Sequence, residues 1–300
     1  MSAEPLLRLG IPKGSLEKAT LDLFAHAGWS IQASSRSYFP SIDDPLIRCC
    51  LMRPQEMPRY IEAGALDAGI TGFDWVVENG SDLHVVCDLV YSKVSRQGTR
   101  WVLVVREDSA VQRPEDLAGG RVSTELVGVT RRWFAERGID VEVEFSWGAT
   151  EAKVAEGLVD AIVDVTETGS TLRANKLRII ADLLASRPQL VASRQAWADP
   201  ARREKLEQIA LLLRGALEAR GQVGLKLNVP AELLNEVIGL LPSLTAPTVA
   251  HLAPVPHLAG RTWYSVEAVI AETTVRDLIP RLIRAGASGI IEYPLNKIIP

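Results

Sequence analysis

A chain of 300 residues, 47% hydrophobic and 23% charged, can bury a large core and divide into two or three domains. Its 33 basic and 37 acidic residues nearly cancel at a net of −4, which excludes a global attraction to nucleic acid or to an anionic membrane. No apolar run reaches the ~20 residues that span a bilayer, and the start "MSAEPLLRLG" lacks a basic segment before an apolar core, so the expected location is the cytoplasm.

In chain order, "LLRLGI" predicts a strand and "SLEKATLDLFAHAG" a helix closed by Gly28. "IRCCLM" predicts a strand, "QEMPRYIEAG" a helix, "LDAGIT" a strand and "FDWVVENG" a helix ending in glycine. The polar "SRQGTR" then marks a crossing into a second lobe that opens with the strand "WVLVV". There "PEDLAGG" predicts a short helix, "RVST" a strand and "ELVGVTRRWFAERG" a helix. "VEVEFSW", "TEAKVAEG" and "LVDAIVDV" continue as strand, helix and strand.

From Asp199 the pattern becomes one long helix, "DPARREKLEQIALLLRGALEARG", with Asp199 as cap and Pro200 at its first position. The remainder reads β-α-β-β-α-β: "VGLKLNV", "AELLNEVIGLL", "PTVAHL", "WYSVEAVIA", "VRDLIPRLIRAG" and "GIIEY". That order is the ferredoxin-like one. The expected boundaries are therefore a first α/β lobe over 1–95, to which 182–221 returns, a second over 96–181, and a C-terminal module over 222–300.

The chemistry concentrates in "DVTETGSTL", residues 164–172. It follows the apolar run of residues 158–163 and precedes a predicted helix, so it lies at a strand's carboxyl end, where open parallel sheets bind ligands. Thr166, Thr168, Ser170 and Thr171 offer hydroxyls, and Gly169 allows the backbone to approach a phosphate without a Cβ clash. Asp164 would repel a phosphate, so its partners are ribose hydroxyls or a hydrated Mg²⁺ carried by a pyrophosphate. Glu167 is the one acid among the hydroxyls. No lysine follows as in a P-loop, and a hydroxyl-rich helix cap would use the same residues.

Cationic candidates stand at strand ends of the first lobe: Lys13 in "IPKGS", beside Gly14, and Arg53 in "LMRPQ". Arg36, in "SSRSY", lies in a less regular segment. Thr71 and Gly72 end the "LDAGIT" strand and could cradle phosphates, and Thr124 and Glu125 follow "RVS". Cys49, Cys50 and Cys87 form no C-x-x-C pair and are expected to be buried, reduced thiols. His26, His84, His251 and His257 show no metal-ligand spacing, and His26 is expected to be structural. Core packing is expected for Trp75, Trp133 and Trp147.

The segment "EAKVAEGLVDAIVDVTETGSTLRANKL" resembles the signature of the ATP phosphoribosyltransferase family, through Glu151, Gly157, Asp160 and the run from Thr168 to Leu172. "PKGSL", "LMRPQEMPRYIEAGALDAGITGFDWVVENG" and "TRWVLVV" agree in order, whereas "STELV" stands where relatives have "ATELV". The resemblance covers essentially the whole chain, and the module after about residue 221 is similar to that of the long form of the family.

The resemblance implies two lobes like those of periplasmic binding proteins around a catalytic cleft, with a C-terminal ACT-like regulatory domain. It implies transfer of a phosphoribosyl group from phosphoribosyl pyrophosphate to N1 of ATP, the first step of histidine biosynthesis. Residues 164–171 would hold the sugar phosphate, Lys13, Arg36 and Arg53 the pyrophosphate with its Mg²⁺, and Thr124 and Glu125 the nucleotide. L-Histidine would inhibit at the C-terminal module through Asn228, Thr248 and the segment Ala285, Gly286, Ala287 and Ser288. A homo-oligomer, dimer or hexamer, working without a separate regulatory subunit is implied. A two-lobed binding protein without catalysis, or a nucleobase phosphoribosyltransferase with its own T-G-x-T loop, are the rival readings. Paired acids immediately before the loop would mark the latter, and Ile162 and Val163 stand there instead.

Overall fold

The structure, a computed structural model, describes residues 5–33, 37–90, 98–242, 246–253 and 261–299. The chain forms two compact units, Met1–Leu211 and Leu212–Pro300.

The first unit contains two five-stranded sheets. The first lobe runs β1 (Leu7–Pro12), α1 (Glu17–Ala27), β2 (Ile31–Gln32), β3 (Ser41–Ile42), β4 (Ile47–Met52), α2 (Met57–Glu62), β5 (Ala68–Gly72), α3 (Phe73–Asn79) and β6 (Leu83–Asp88). The second runs β7 (Thr99–Arg106), β8 (Arg121–Thr124), α4 (Val127–Ala135), β9 (Glu142–Phe145), α5 (Thr150–Ala155), β10 (Ala161–Thr166), α6 (Ser170–Ala174) and β11 (Leu177–Ser186). The chain then returns to the first sheet as β12 (Pro188–Ser193), followed by α7 (Arg194–Ala198) and the long α8 (Pro200–Glu218). Sheet orders are β4-β1-β5-β12-β6 and β11-β7-β10-β8-β9.

Burial follows the sequence periods. Helix α1 buries Thr20, Leu23, Phe24 and Ala27, a single stripe at helical spacing. Full burial of Leu23 and Phe24 is worth about 1.5–3 kcal/mol each. Gly28 ends this helix at φ 106° and donates its N–H to the Phe24 carbonyl. Strand β5, central and covered on both faces, is buried at every residue. At the start of α8, Asp199 Oδ1 accepts from Ala201 N at 3.0 Å and Arg202 N at 3.1 Å, the expected cap. Arg202 from α8 and Arg8 from β1 converge on the buried Asp67 at 3.1 and 2.9 Å. Burial alone would raise the Asp67 carboxyl, but bonds from Arg8 and the charges of Arg8 and Arg202 outweigh it and hold it below its ordinary value.

One expected boundary moves. Strand β11 continues to Ser186 in the second sheet, and β12 pairs with β5 and β6 of the first. The chain therefore crosses back at Arg187, not at residue 182. A partly exposed β11, whose short apolar runs are interrupted by Asp182, carries no long apolar run to announce it.

The second unit contains β13 (Gln222–Pro230), α9 (Leu234–Leu240), β14 (Thr248–His251), β15 (Trp263–Ala271), α10 (Glu272–Arg284) and β16 (Ser288–Pro294). The antiparallel order β14-β15-β13-β16 is the ferredoxin-like arrangement. Val223, Leu225, Leu227 and Val229 alternate inward from β13, against Val237 of α9 and Val275, Leu278 and Leu282 of α10.

Candidate active site

Strands β1, β4 and β5 run parallel, so their carboxyl ends share one edge. Lys13, Arg53 and Gly72 stand there. In the second lobe β8, β9 and β10 run parallel, and Glu125 and Asp164 lie at the corresponding edge. A cavity of about 390 Å³ is lined from both lobes, and its wall includes Lys13, Gly14, Arg53, Gly72, Glu125 and Asp164. A second cavity, about 700 Å³, shares Arg53, Gln55, Trp75 and Glu125 with it and extends to Arg59, Phe145 and Trp147.

The first-lobe wall is cationic. The Lys13 ammonium sits 4.0 Å from the centroid of the Tyr38 ring, a cation–π contact that leaves its charge facing the cavity. Among the described residues no acid pairs with the exposed Arg53 guanidinium. An unpaired cation at a strand end is free to meet an anionic ligand.

The opposite wall is acidic. Asp164 Oδ1 accepts from Val165 N at 2.7 Å. Burial, with the charges of Glu151 and Glu125 added, outweighs that bond and pushes its carboxyl up to about 6. The carboxylates here are short of a cation. Beyond Val165 the chain leaves this cavity's wall and turns through the hydroxyl-rich loop. Thr166 Oγ1 accepts from Gly169 N at 2.8 Å, and the Thr168 hydroxyl donates to Ser170 Oγ at 3.0 Å. Gly169 has φ 72°, a left-handed conformation that a side chain would strain. Glu167, Thr168, Ser170 and Thr171 are exposed, so the loop presents its donors outward.

Several expected residues serve the fold instead. Thr71 is fully buried, and its hydroxyl donates to the Pro54 carbonyl at 2.8 Å; it braces the segment that carries Arg53. Thr124 is also fully buried, accepting from Leu126 N at 3.0 Å ahead of α4. Neither hydroxyl is available to a ligand. Trp147 is not core: it is 92% exposed and meets Phe145 edge-on at 4.8 Å. Trp133 is buried, while Trp75 stands edge-on to Trp101 at 6.0 Å on the cavity wall. Arg36 lies outside the described residues. Cys49 is buried and its thiol is pushed up to about 12, by burial first and then by Cys50 and Asp44.

Asp74, Trp101, Ser186 and Arg187 also line the first cavity, and sequence reasoning did not single them out. The acid of "FDW", directly after the "GITG" strand end, was the available signal. In the second unit Asn228 and Ser288 are paired between β13 and β16. Thr248 lies on the far edge strand β14, two strand spacings from Asn228 on β13 and three from Ser288 on β16, or about 10 and 14 Å across the sheet. Ala285 and Ala287 are buried, and Gly286 adopts φ 89°.

The raised Asp164 carboxyl makes a stability prediction. A carboxyl at 3.8 in the unfolded chain and about 6 in the fold costs stability once ionised, increasingly from pH 4 to 6 and fully above. Asp164→Asn removes a cost of at most about 3 kcal/mol. Its thermal midpoint should exceed wild type at pH 7, and most of the excess should vanish by pH 4, where the folded Asp164 carboxyl is neutral. An equal excess at both pH values would show that ionisation plays no part.

A family model described as ATP phosphoribosyltransferase matches residues 53–215, and one described as the HisG C-terminal domain matches residues 219–297. The ATP phosphoribosyltransferase of Geotalea daltonii is 60% identical over 294 residues, 98% of this chain and 99% of that protein. ATP phosphoribosyltransferase 1 of Geobacter sulfurreducens shows the same identity and coverage. Among solved structures, an ATP phosphoribosyl transferase (HisG:HisZ) complex from Thermotoga maritima superposes with a TM-score of 0.59 at 27% identity, covering 69% of this chain and 98% of that one. Full-length identity of this order favours the enzyme over a non-catalytic binder. The chain belongs to the ATP phosphoribosyltransferase family, the transferases that open histidine biosynthesis by joining ATP to phosphoribosyl pyrophosphate.

Proposed function

We propose that the two walls divide the work of the transfer. Asp164 accepts hydrogen bonds from the ribose hydroxyls, and the loop from Thr166 to Thr171 receives the 5′-phosphate. Lys13 and Arg53, with Arg36, face the pyrophosphate, and Gly14 and Gly72 let backbone approach it. Glu125, on the wall shared by both cavities, lies beside the nucleotide. Adenine N1 forms a bond to the anomeric carbon as the bond to the pyrophosphate oxygen breaks. N1 carries no proton, so no general base is required. Charge accumulates on the leaving group while the sugar gains oxocarbenium character, and cations on one side with a carboxylate on the other stabilise that separation.

The observation that carries this reading is the unpaired Arg53 and the Lys13 ammonium across one 390 Å³ cavity from Asp164. Mg²⁺ belongs to the substrate as the pyrophosphate's counter-ion. The chemistry of the site suits such a cation, because burial, with the charges of Glu151 and Glu125 added, raises the Asp164 carboxyl. When bound, the ion neutralises the leaving pyrophosphate.

The C-terminal unit is the histidine-sensing module of a cytoplasmic homo-oligomer that needs no separate regulatory subunit. The pairing of Asn228 with Ser288 beside the Ala285–Ala287 turn supports a small polar site there, whereas Thr248 would have to join it from another subunit.

Arg53→Ala should lower kcat more than it raises KM for phosphoribosyl pyrophosphate, because its charge is needed most as pyrophosphate leaves. Thr168→Val should do the reverse, weakening sugar-pyrophosphate binding roughly ten- to hundredfold for a lost bond to phosphate. Steady-state kinetics of phosphoribosyl-ATP formation decides, and the opposite pattern would reverse the two assignments. Ending the chain after Gly221 should leave residual activity that histidine no longer inhibits. Undiminished inhibition of the well-folded truncation would move the regulatory site into the catalytic lobes.

A further inference from the structure

Two segments join the lobes of the first unit, one entering β7 at Thr99 and one leaving β11 after Ser186. Asp74, in the first turn of α3, touches the second-lobe strand beside each crossover. Its Oδ2 accepts from Trp101 Nε1 of β7 at 2.6 Å, and its backbone N–H donates to Ser186 Oγ of β11 at 3.1 Å. Oδ1 accepts from Trp75 N at 3.0 Å. The preceding residue, Phe73, donates its N–H to the Arg187 carbonyl at 3.0 Å.

The crossovers also press on each other. Gly98 has φ 78°, and a Cβ there would stand 2.5 Å from the Ser186 carbonyl oxygen. The same helix grips the second lobe again at its other end. Glu78 accepts from Gly128 N and Val129 N, the start of α4, at 2.7 and 2.8 Å.

Asp74 is 6% exposed, and among the described residues no cation pairs with its carboxylate. Burying a carboxylate on dipoles alone is costly, so stability does not explain an acid here. Its position does. Asp74, Trp101, Ser186 and Arg187 line the cavity that holds Lys13, Arg53 and Asp164. Hinges between lobes move at such crossovers, and an error of ~1 Å in the facing of reacting groups can cost on the order of a hundredfold in rate.

We propose that Asp74 is a positioning residue for the transfer: it clasps both interlobe crossovers and fixes the angle at which the Lys13–Arg53 wall faces Asp164. The inference rests on the roles given above to those walls. Ground-state binding tolerates a small misfacing of the two walls, whereas the transition state needs charge on both sides of the sugar at once. Loosening the clasp therefore lowers kcat and spares affinity.

Asp74→Asn turns an amide N–H₂ toward one of two N–H donors, and Trp101→Phe keeps the ring but removes the indole donor. Each should lower kcat at least tenfold, while the Kd for Mg²⁺-phosphoribosyl pyrophosphate, by calorimetry, stays within about threefold. The double variant should be no slower than the worse single variant, because both changes break one contact. Full turnover in either folded variant, a loss expressed as affinity, or losses that multiply would overturn the proposal. If Asp74→Asn does not fold, Trp101→Phe alone decides, since it leaves the packing of the ring in place. Arg53→Ala separates the two readings: normal turnover there alongside a slow Asp74→Asn would sink the wall assignment and leave the clasp standing.

Discussion

Cations and carboxylates stand on opposite walls of one cavity, and two independent sheets supply them. Parallel strands deliver their following residues to a common edge, and each lobe has three such strands, β1-β4-β5 and β8-β9-β10. One edge carries Lys13 and Arg53, the other Glu125 and Asp164. The cleft exists because the chain crosses between the sheets twice.

The acidic wall stores unfavourable energy in the empty protein. Asp164 sits half-buried beside two other carboxylates and holds its proton up to about pH 6. Asp67, by contrast, is neutralised by Arg8 and Arg202, whereas the buried Asp74 rests on hydrogen bonds from Trp101 and Trp75.

Elements with strong local periodicity could be read directly. The Thr20–Leu23–Phe24–Ala27 stripe and the alternation of β13 need no knowledge of their partners. Asp199 signalled its helix through chemistry contained in a few residues. Strands β6, β11 and β12 were not singled out, since their faces are half-exposed or their partners distant: β12 pairs with strands formed over 100 residues earlier. Lys13, Arg53 and Asp164, which line the cavity, were visible because each follows an apolar run. Thr71 and Thr124 gave the same signal, yet their hydroxyls are buried on neighbouring backbone groups, which a strand-end hydroxyl serves as readily as a phosphate. Trp147 was misread for a related reason: the residue type favours burial, but only the packing around β9 decides it. Asp74 lay in plain view within "FDW", yet its partners Trp101 and Ser186 come from two distant strands.

A crystal structure with Mg²⁺ and phosphoribosyl pyrophosphate bound tests the division of the cleft most directly. The 5′-phosphate should lie against the backbone of Gly169 and the hydroxyls of Thr168 and Thr171, with the ribose hydroxyls on Asp164 and the pyrophosphate toward Lys13 and Arg53. A pyrophosphate seated in the hydroxyl loop, with the 5′-phosphate on Lys13 and Arg53, would contradict the assignment of the two walls.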